Sequence, residues 1–402
     1  MKKDILLIAN FWHFDYEKKS SRYRTMANVL CDGGYDVEVI SSTFRHQTKQ
    51  HRDITNVLEN KYLYKITLLH EPGYKRNVSF QRIYSHHRFA KEVTKYLESR
   101  KKPDLIIVSV PSLSVGSAVT KFANANDIKV IIDIQDLWPE AYKMAFNIPV
   151  VSDILFSPMM LQANKIYSRA DRVMAVSQTY VDRGLSQNKK DDKGLAVFIG
   201  TDSKLVAEAT EGKSVAKPEN EFWIGYIGAL GHSYDIKLII DAIKILNNKG
   251  INNILFKVMG EGMLIDEFKA YAESQQVNCE FTGFIEYGDM MVNLSACDVA
   301  VNPIVGKSVA SIINKVSDYA MAGVPVINTQ NSSEYRKLIE DYNCGINCES
   351  GNAQSVADAI EKLYKDKDLK KQMGKNSSKL AEEKFDRNIT YKNIISLIEE
   401  VI

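Results

Sequence analysis

The sequence predicts an α/β protein made of two Rossmann-like, doubly wound domains, and three observations carry this. Short apolar runs alternate with longer amphipathic stretches, the βαβα signature of parallel sheets. Polar segments, "LSQNKKDDKG" and "GTDSKLVAEATEGKSVAKPENE", interrupt the alternation, which then restarts. The chain has 402 residues, 45% of them hydrophobic, which is more than one core comfortably holds.

Taken in order, "DILLIA" reads as a buried first strand and "SSRYRTMANVLCDGG" as a helix with a serine cap and a glycine stop. "DVEVIS" and "KYLYKITLL" are strands, followed by a long basic helix through "FQRIYSHHRFAKEVTKYLESR". Strands "DLIIVSV", "KVIIDI" and "RVMAV", with helices between them, complete one domain. A short strand "LAVFIG" leads to the interdomain linker. In the second half, strands "FWIGYIG", "ILFKVMG", "CEFTG", "VAVNPI" and "VPVINT" alternate with helices, and the tail is helical. Sheets of this kind bind ligands beyond the carboxyl ends of their strands, so two of them imply a shared cleft.

Composition removes several classes. No run approaches the roughly 18 apolar residues of a membrane helix. The opening "MKKDILLIAN" is too short for a signal peptide and carries Asp4. Five cysteines without a CxxC pair fit reduced thiols in a cytosolic protein and argue against zinc. Net charge is +2, yet residues 1–190 carry 29 Lys/Arg against 19 Asp/Glu, and six of the seven histidines. That basic half is either solvated surface or a face for an anionic membrane or a phosphorylated acceptor. The basic residues are not interleaved with a nucleic-acid motif, so no nucleic acid partner is expected.

The chemistry gathers at strand ends. "NFWHFDYEKKSSRYR" replaces the GxGxxG of a dinucleotide enzyme, and Arg22 and Arg24 near a helix start suit an anion. "IIDIQDLWPE" sets Gln135, Asp136, Trp138 and Glu140 directly after a buried strand, with Asp133 inside it as a candidate structural anchor. "YIGALGHS" places Gly228, Leu230 and Gly231 at a turn whose amides a pyrophosphate could approach. "VMGEGM" repeats the arrangement with Gly260, Glu261 and Gly262, and "EFTGFI" sets Gly283 and Phe284 where a nucleobase could lie. In "SVASIINKVSDYAMAGVPVINTQ", Ile313 and Asn314 offer amides, Lys315 a charge, and Asp318, at i+3, a carboxylate for ribose hydroxyls. An ordinary i,i+3 ion pair on a surface helix is the lesser alternative for the last spacing.

These segments, with "VSQTYVDRG", "TGFI" and "EEKF" before a last helix, resemble in order the landmarks of glycosyltransferase family 4, the retaining enzymes of the GT-B fold. The resemblance covers almost the whole chain and is nearest in style to builders of bacterial capsule, exopolysaccharide or O-antigen. It implies an acceptor domain of residues 1–195 plus 386–402, closed by a returning helix, and a donor domain of 196–385. It implies transfer with retention from a nucleotide diphosphate sugar, with uridine as the base, to a lipid-linked or glycan acceptor, in the cytoplasm or at the inner membrane face. Asp136 and Lys315 are its catalytic candidates.

The departures are specific. The family's first glutamate falls on Ala310, and its phosphate-binding cations fall on Ala229 and Tyr234, which leaves Lys315, or Lys307 upstream, to supply charge. Gln135 stands where a histidine is usual. The DxD-like Asp366-Lys367-Asp368 lies between tail helices, so neither a metal nor another cofactor is expected. A non-catalytic nucleotide-binding partner and a nucleotide-sugar epimerase remain as alternatives.

Overall fold

A run such as "DILLI" has no polar face, so it is stable only where the protein covers it on both sides. The computed structural model describes residues 2–14, 21–53, 62–145, 151–305 and 312–402. Lys307 and Ala310, singled out above, lie outside the described residues. The chain divides into two units, Met1–Val197 with Tyr391–Ile402, and Phe198–Thr390.

In the first unit the elements run β1 (Asp4–Ile8), α1 (Arg22–Asp32), β2 (Asp36–Ser42), the small hairpin β3 (Phe44–Arg45) and β4 (Gln50–His51), β5 (Lys65–Leu69) and α2 (Phe80–Ser99). They continue with β6 (Leu105–Val110), α3 (Leu113–Ala125), β7 (Lys129–Ile134), α4 (Glu140–Ala145), α5 (Val151–Arg169), β8 (Arg172–Ala175), α6 (Gln178–Leu185) and β9 (Leu195–Ala196). The sheet order is β5-β2-β1-β6-β7-β8-β9, parallel throughout. The direction of winding reverses between β1 and β6. Serine caps start the helices as the sequence suggests: Ser21, Ser79, Ser112 and Ser177 each accept a backbone N–H from the following turn.

The second unit begins with α7 (Ser203–Thr210), then β10 (Phe222–Ile227), α8 (Ile236–Asn248), β11 (Ile254–Met259), α9 (Ile265–Gln275), β12 (Cys279–Gly283), α10 (Tyr287–Ser295) and β13 (Val299–Asn302). It ends with α11 (Lys315–Met321), β14 (Val326–Asn328), α12 (Ser333–Tyr342), β15 (Gly345–Asn347), α13 (Ala353–Lys365), α14 (Lys367–Leu380) and α15 (Arg387–Thr390). The parallel order is β12-β11-β10-β13-β14-β15, with its reversal between β10 and β13. A last helix, α16 (Asn393–Glu399), returns to the first unit, where Ile394, Leu397 and Ile398 join the core against Tyr23, Met26 and Leu30.

Two expectations change. The linker region contains α7, capped by the Asp202 carboxylate. It runs so close to α10 that a Cβ on Gly288 would stand 1.9 Å from the Ala209 carbonyl oxygen. The crossing back falls at Tyr391 and not at residue 386. Arg387 holds its neighbours in the second unit by donating to the carbonyls of Ile199 (2.7 Å) and Gly200 (2.8 Å), and the Thr201 amide donates to Phe385 O at 2.8 Å.

Candidate active site

In an open parallel sheet the strands flanking the reversal leave a crevice at their carboxyl ends, because their connections depart to opposite faces. In the second unit those strands are β10 and β13. Gly228 directly follows β10, and α11, which follows β13, begins at Lys315. These two points meet: a Cβ on Gly228 would lie 3.0 Å from the Lys315 Nζ. The ammonium donates to Tyr226 Oη at 2.9 Å and sits 4.1 Å and 3.8 Å from the ring centroids of Tyr226 and Tyr234. Among the described residues no carboxylate pairs with it. Burial alone pulls its pKa from the usual lysine range down to about 7. A cation held among rings without a counter-charge is a ready site for an anion.

The glycine turns behave differently from the sequence expectation. The Gly228 amide donates to Met259 O (3.0 Å) and the Leu230 amide to Glu261 O (2.8 Å), while Leu230 O accepts from Leu264 N at 3.2 Å. Leu230 is fully buried. These amides bind the two turns to each other and are not open to a pyrophosphate. The glycines are there for closeness: a Cβ on Gly260 would stand 1.9 Å from Gly228 O, and one on Gly262 2.1 Å from Leu230 O. Gly231 meets no such neighbour. Glu261 Oε1 accepts from the Phe284 amide at 3.2 Å, joining the third strand end, and Phe284 itself is 70% exposed.

Asp318 is tied to its neighbours in the second unit. Its Oδ1 accepts from Thr201 Oγ1 and Tyr287 Oη, both at 2.9 Å, so one oxygen is committed to the segment before α7 and to the start of α10. Burial raises its pKa, and those two hydrogen bonds oppose the rise. Ile313 and Asn314 lie at the start of α11, where their carbonyls accept from Val316 N and Ser317 N.

In the first unit, Arg22 is not an open anion ligand. It is buried and pairs with Asp133 through Nε (3.0 Å) and Nη2 (2.9 Å), and its Nη1 donates to Val197 O (2.6 Å) and Tyr391 Oη (3.2 Å). Removing either ion would strand the other in the core, a loss of about 3–5 kcal/mol, so the pair is structural. Gln135 Nε2 also donates to Asp133, at 2.7 Å. Arg24 is half-buried in the first turn of α1, its amide donating to the Ser21 cap.

Asp136, just past β7, accepts from Trp138 Nε1 at 3.1 Å. Burial raises its pKa, and the Trp138 and Leu137 hydrogen bonds partly offset this. The sequence reading missed what surrounds it. The Arg82 guanidinium lies 4.5 Å above the Trp138 ring, and His86 stacks on that ring at 6.0 Å. Burial, then Arg82, depresses His86 to about 3, so its imidazole is neutral. Arg82 and His86 sit at i, i+4 on the first turns of α2, the one available signal, but nothing local ties that helix to β7. Tyr226 was legible only as a polar-tipped aromatic in an apolar strand. Among the described residues no three His, Cys, Asp or Glu come together to hold a metal ion.

Two parallel-sheet units with their chemistry at the strand ends define the GT-B class. Residues 208–380 match the family described as glycosyl transferases group 1. An uncharacterized glycosyltransferase of Methanocaldococcus jannaschii, MJ1178, is 22% identical over 330 residues, covering 76% of this chain and 86% of that protein. The capsular polysaccharide biosynthesis glycosyltransferase CapM of Staphylococcus aureus is 24% identical over 241 residues, 57% of this chain and 61% of CapM. Among solved structures, HepE of Anabaena in complex with UDP shares the fold, with a TM-score of 0.68 at 14% identity over 99% of this chain and 100% of HepE. The protein has the GT-B fold and is a transferase enzyme whose residues 208–380 are similar to the group 1 glycosyl transferases.

Proposed function

We propose that the protein transfers a sugar, with retention, from a UDP-sugar bound to the second unit to a hydroxyl of a lipid-linked glycan bound to the first. The observation that carries this is the uncompensated Lys315 ammonium beside the Gly228 turn. In the transfer, the bond from the anomeric carbon to the diphosphate breaks and the bond to the acceptor oxygen forms on the same face. The acceptor proton passes to the departing phosphate oxygen. Lys315 neutralises the charge that grows on that phosphate, and Asp136 orients the acceptor. HepE in complex with UDP and the capsular assignment of CapM support uridine and a cell-surface glycan.

Incubating the purified protein with UDP-, GDP- and dTDP-sugars and a lipid-diphosphate glycan tests the reading. UDP should raise the melting temperature in proportion to the logarithm of its concentration. A labelled sugar should move from the UDP donor to the lipid. Stabilisation by GDP or dTDP alone, or donor conversion without acceptor, would overturn it.

The membrane side of the reading has its own support. Phe80, Ile83, Tyr84, His87, Arg88 and Lys91 fall at helical spacing on the open face of α2, with Phe80 90% exposed and Val78, Lys75 and Arg76 just before it. Apolar side chains flanked by cations suit the interface of an anionic bilayer. No described helix is long and apolar enough to cross a membrane. The protein should bind vesicles containing phosphatidylglycerol at low salt and leave them at high salt. Phe80→Ser with Ile83→Ser should abolish binding. Equal partitioning onto neutral and anionic vesicles would remove α2 from this role.

A further inference from the structure

A hydroxyl carries one proton, and the structure accounts for that of Tyr226. Its Oη donates to the Ala229 carbonyl at 2.6 Å, which turns its lone pairs toward the Lys315 ammonium at 2.9 Å. Tyr234, on the far side of the same turn, lays its ring 3.8 Å from that ammonium, and the two tyrosine rings meet edge to face at 5.9 Å and 67°. Lys315 thus arrives from α11, across the reversal of the sheet, and is gripped by two side chains that bracket Gly228.

The grip supplies a hydrogen bond and two ring faces, and no negative charge. The ionisable groups on the surrounding elements are Tyr226 on β10, His232, Tyr234 and Asp235 between β10 and α8, Glu261 after β11, and Asp318 and Tyr319 on α11. None of them offsets the burial that lowers the Lys315 pKa.

We infer that Tyr226 and Tyr234 are positioning residues of the transfer reaction, which fix the Lys315 ammonium against the Gly228 turn so that the donor's diphosphate becomes its counter-ion. The inference rests on the reading above, in which Lys315 meets the diphosphate. It has a consequence that packing alone would not produce. Burial pulls the Lys315 pKa down to about 7, so a diphosphate that takes the ammonium as its counter-ion should bind together with a proton at pH 8.

The test is calorimetric titration of UDP and UMP at pH 8 in two buffers of different ionisation enthalpy, with kcat/KM followed against pH. Wild type should take up on the order of one proton with UDP and far less with UMP. Tyr226→Phe removes the acceptor, and Tyr234→Leu removes a ring. Each should weaken UDP binding severalfold, leave UMP binding unchanged, and move the alkaline limb of kcat/KM to lower pH. Tyr234→Phe keeps the ring and should behave as wild type. Retained UMP binding certifies that each variant is folded; where Tyr226→Phe fails that control, Tyr234→Leu decides. If the folded variants keep the wild-type limb and UDP affinity while Lys315→Met abolishes proton uptake, Lys315 meets the diphosphate unaided and the positioning role falls. If Lys315→Met keeps both uptake and UDP affinity, or UDP does not bind wild type, the underlying reading falls and the inference with it.

Discussion

Lys315→Ala should lower kcat by about 10²–10³-fold while UMP affinity stays near wild type. A preorganised donor to developing charge is worth roughly 2.7–4 kcal/mol in a dry site, and Lys315 is the cation placed to supply it. The loss should appear in kcat because the phosphate's charge is greatest as the sugar bond breaks. Its pH dependence has a definite sign. In the proposed transfer the protonated form of Lys315 is the working one, and burial pulls its pKa in the free protein down to about 7. The alkaline limb of kcat/KM should therefore fall near pH 7. The limb of kcat should lie higher, because a bound diphosphate restores the proton affinity that burial removed. The same burial makes the charge a burden on the fold, since the unfolded chain binds the proton more tightly between pH 7 and about 10.4. Lys315→Met should thus melt later than wild type at pH 7 even as it loses turnover. A variant with full turnover, or one that loses UMP and UDP affinity equally, would contradict this assignment.

Asp136→Ala should lower turnover by at least about 10²-fold, in the range of a lost catalytic carboxylate, with UDP affinity within twofold of wild type. The carboxylate stands past the carboxyl end of β7, fixed by the Trp138 indole and backed by Arg82 above that ring. Burial raises its pKa, so if the ionised form is the working one, activity should fall as pH drops through that raised value. Asp136→Asn preserves the shape and should lose the acid limb altogether. Turnover near wild type in the alanine variant would make Asp136 a structural partner of Trp138.

Asp133 and Arg22 show where local reading stops. Asp133 is visible in the sequence as an acid inside an apolar strand, and a buried acid demands a partner. That partner is 111 positions away, and no spacing rule links them. Arg22 looked like an anion ligand because it stands at a helix start, and only the packed sheet shows its guanidinium turned inward. The glycine turns err in the opposite sense. Their positions are correct, but a glycine that permits a ligand's approach and one that permits another turn's approach are identical in sequence.

Short apolar runs, amphipathic stretches of period 3.6, serine caps and glycine stops determined the elements and the two-sheet architecture, because these depend on residues within a turn or a strand of one another. The same local rules placed Asp136 just past the end of a buried strand and Lys315 at a helix start. What only the tertiary structure decided is the company each keeps: the tyrosines around Lys315, Thr201 and Tyr287 on Asp318, Arg82 and His86 against Trp138. Parallel strands that pair in space are separated by whole helices in sequence, so the partners of a strand end come from elements the chain reaches tens of residues later. A charge's partners and its burial, and with them its pKa, are set by that assembly.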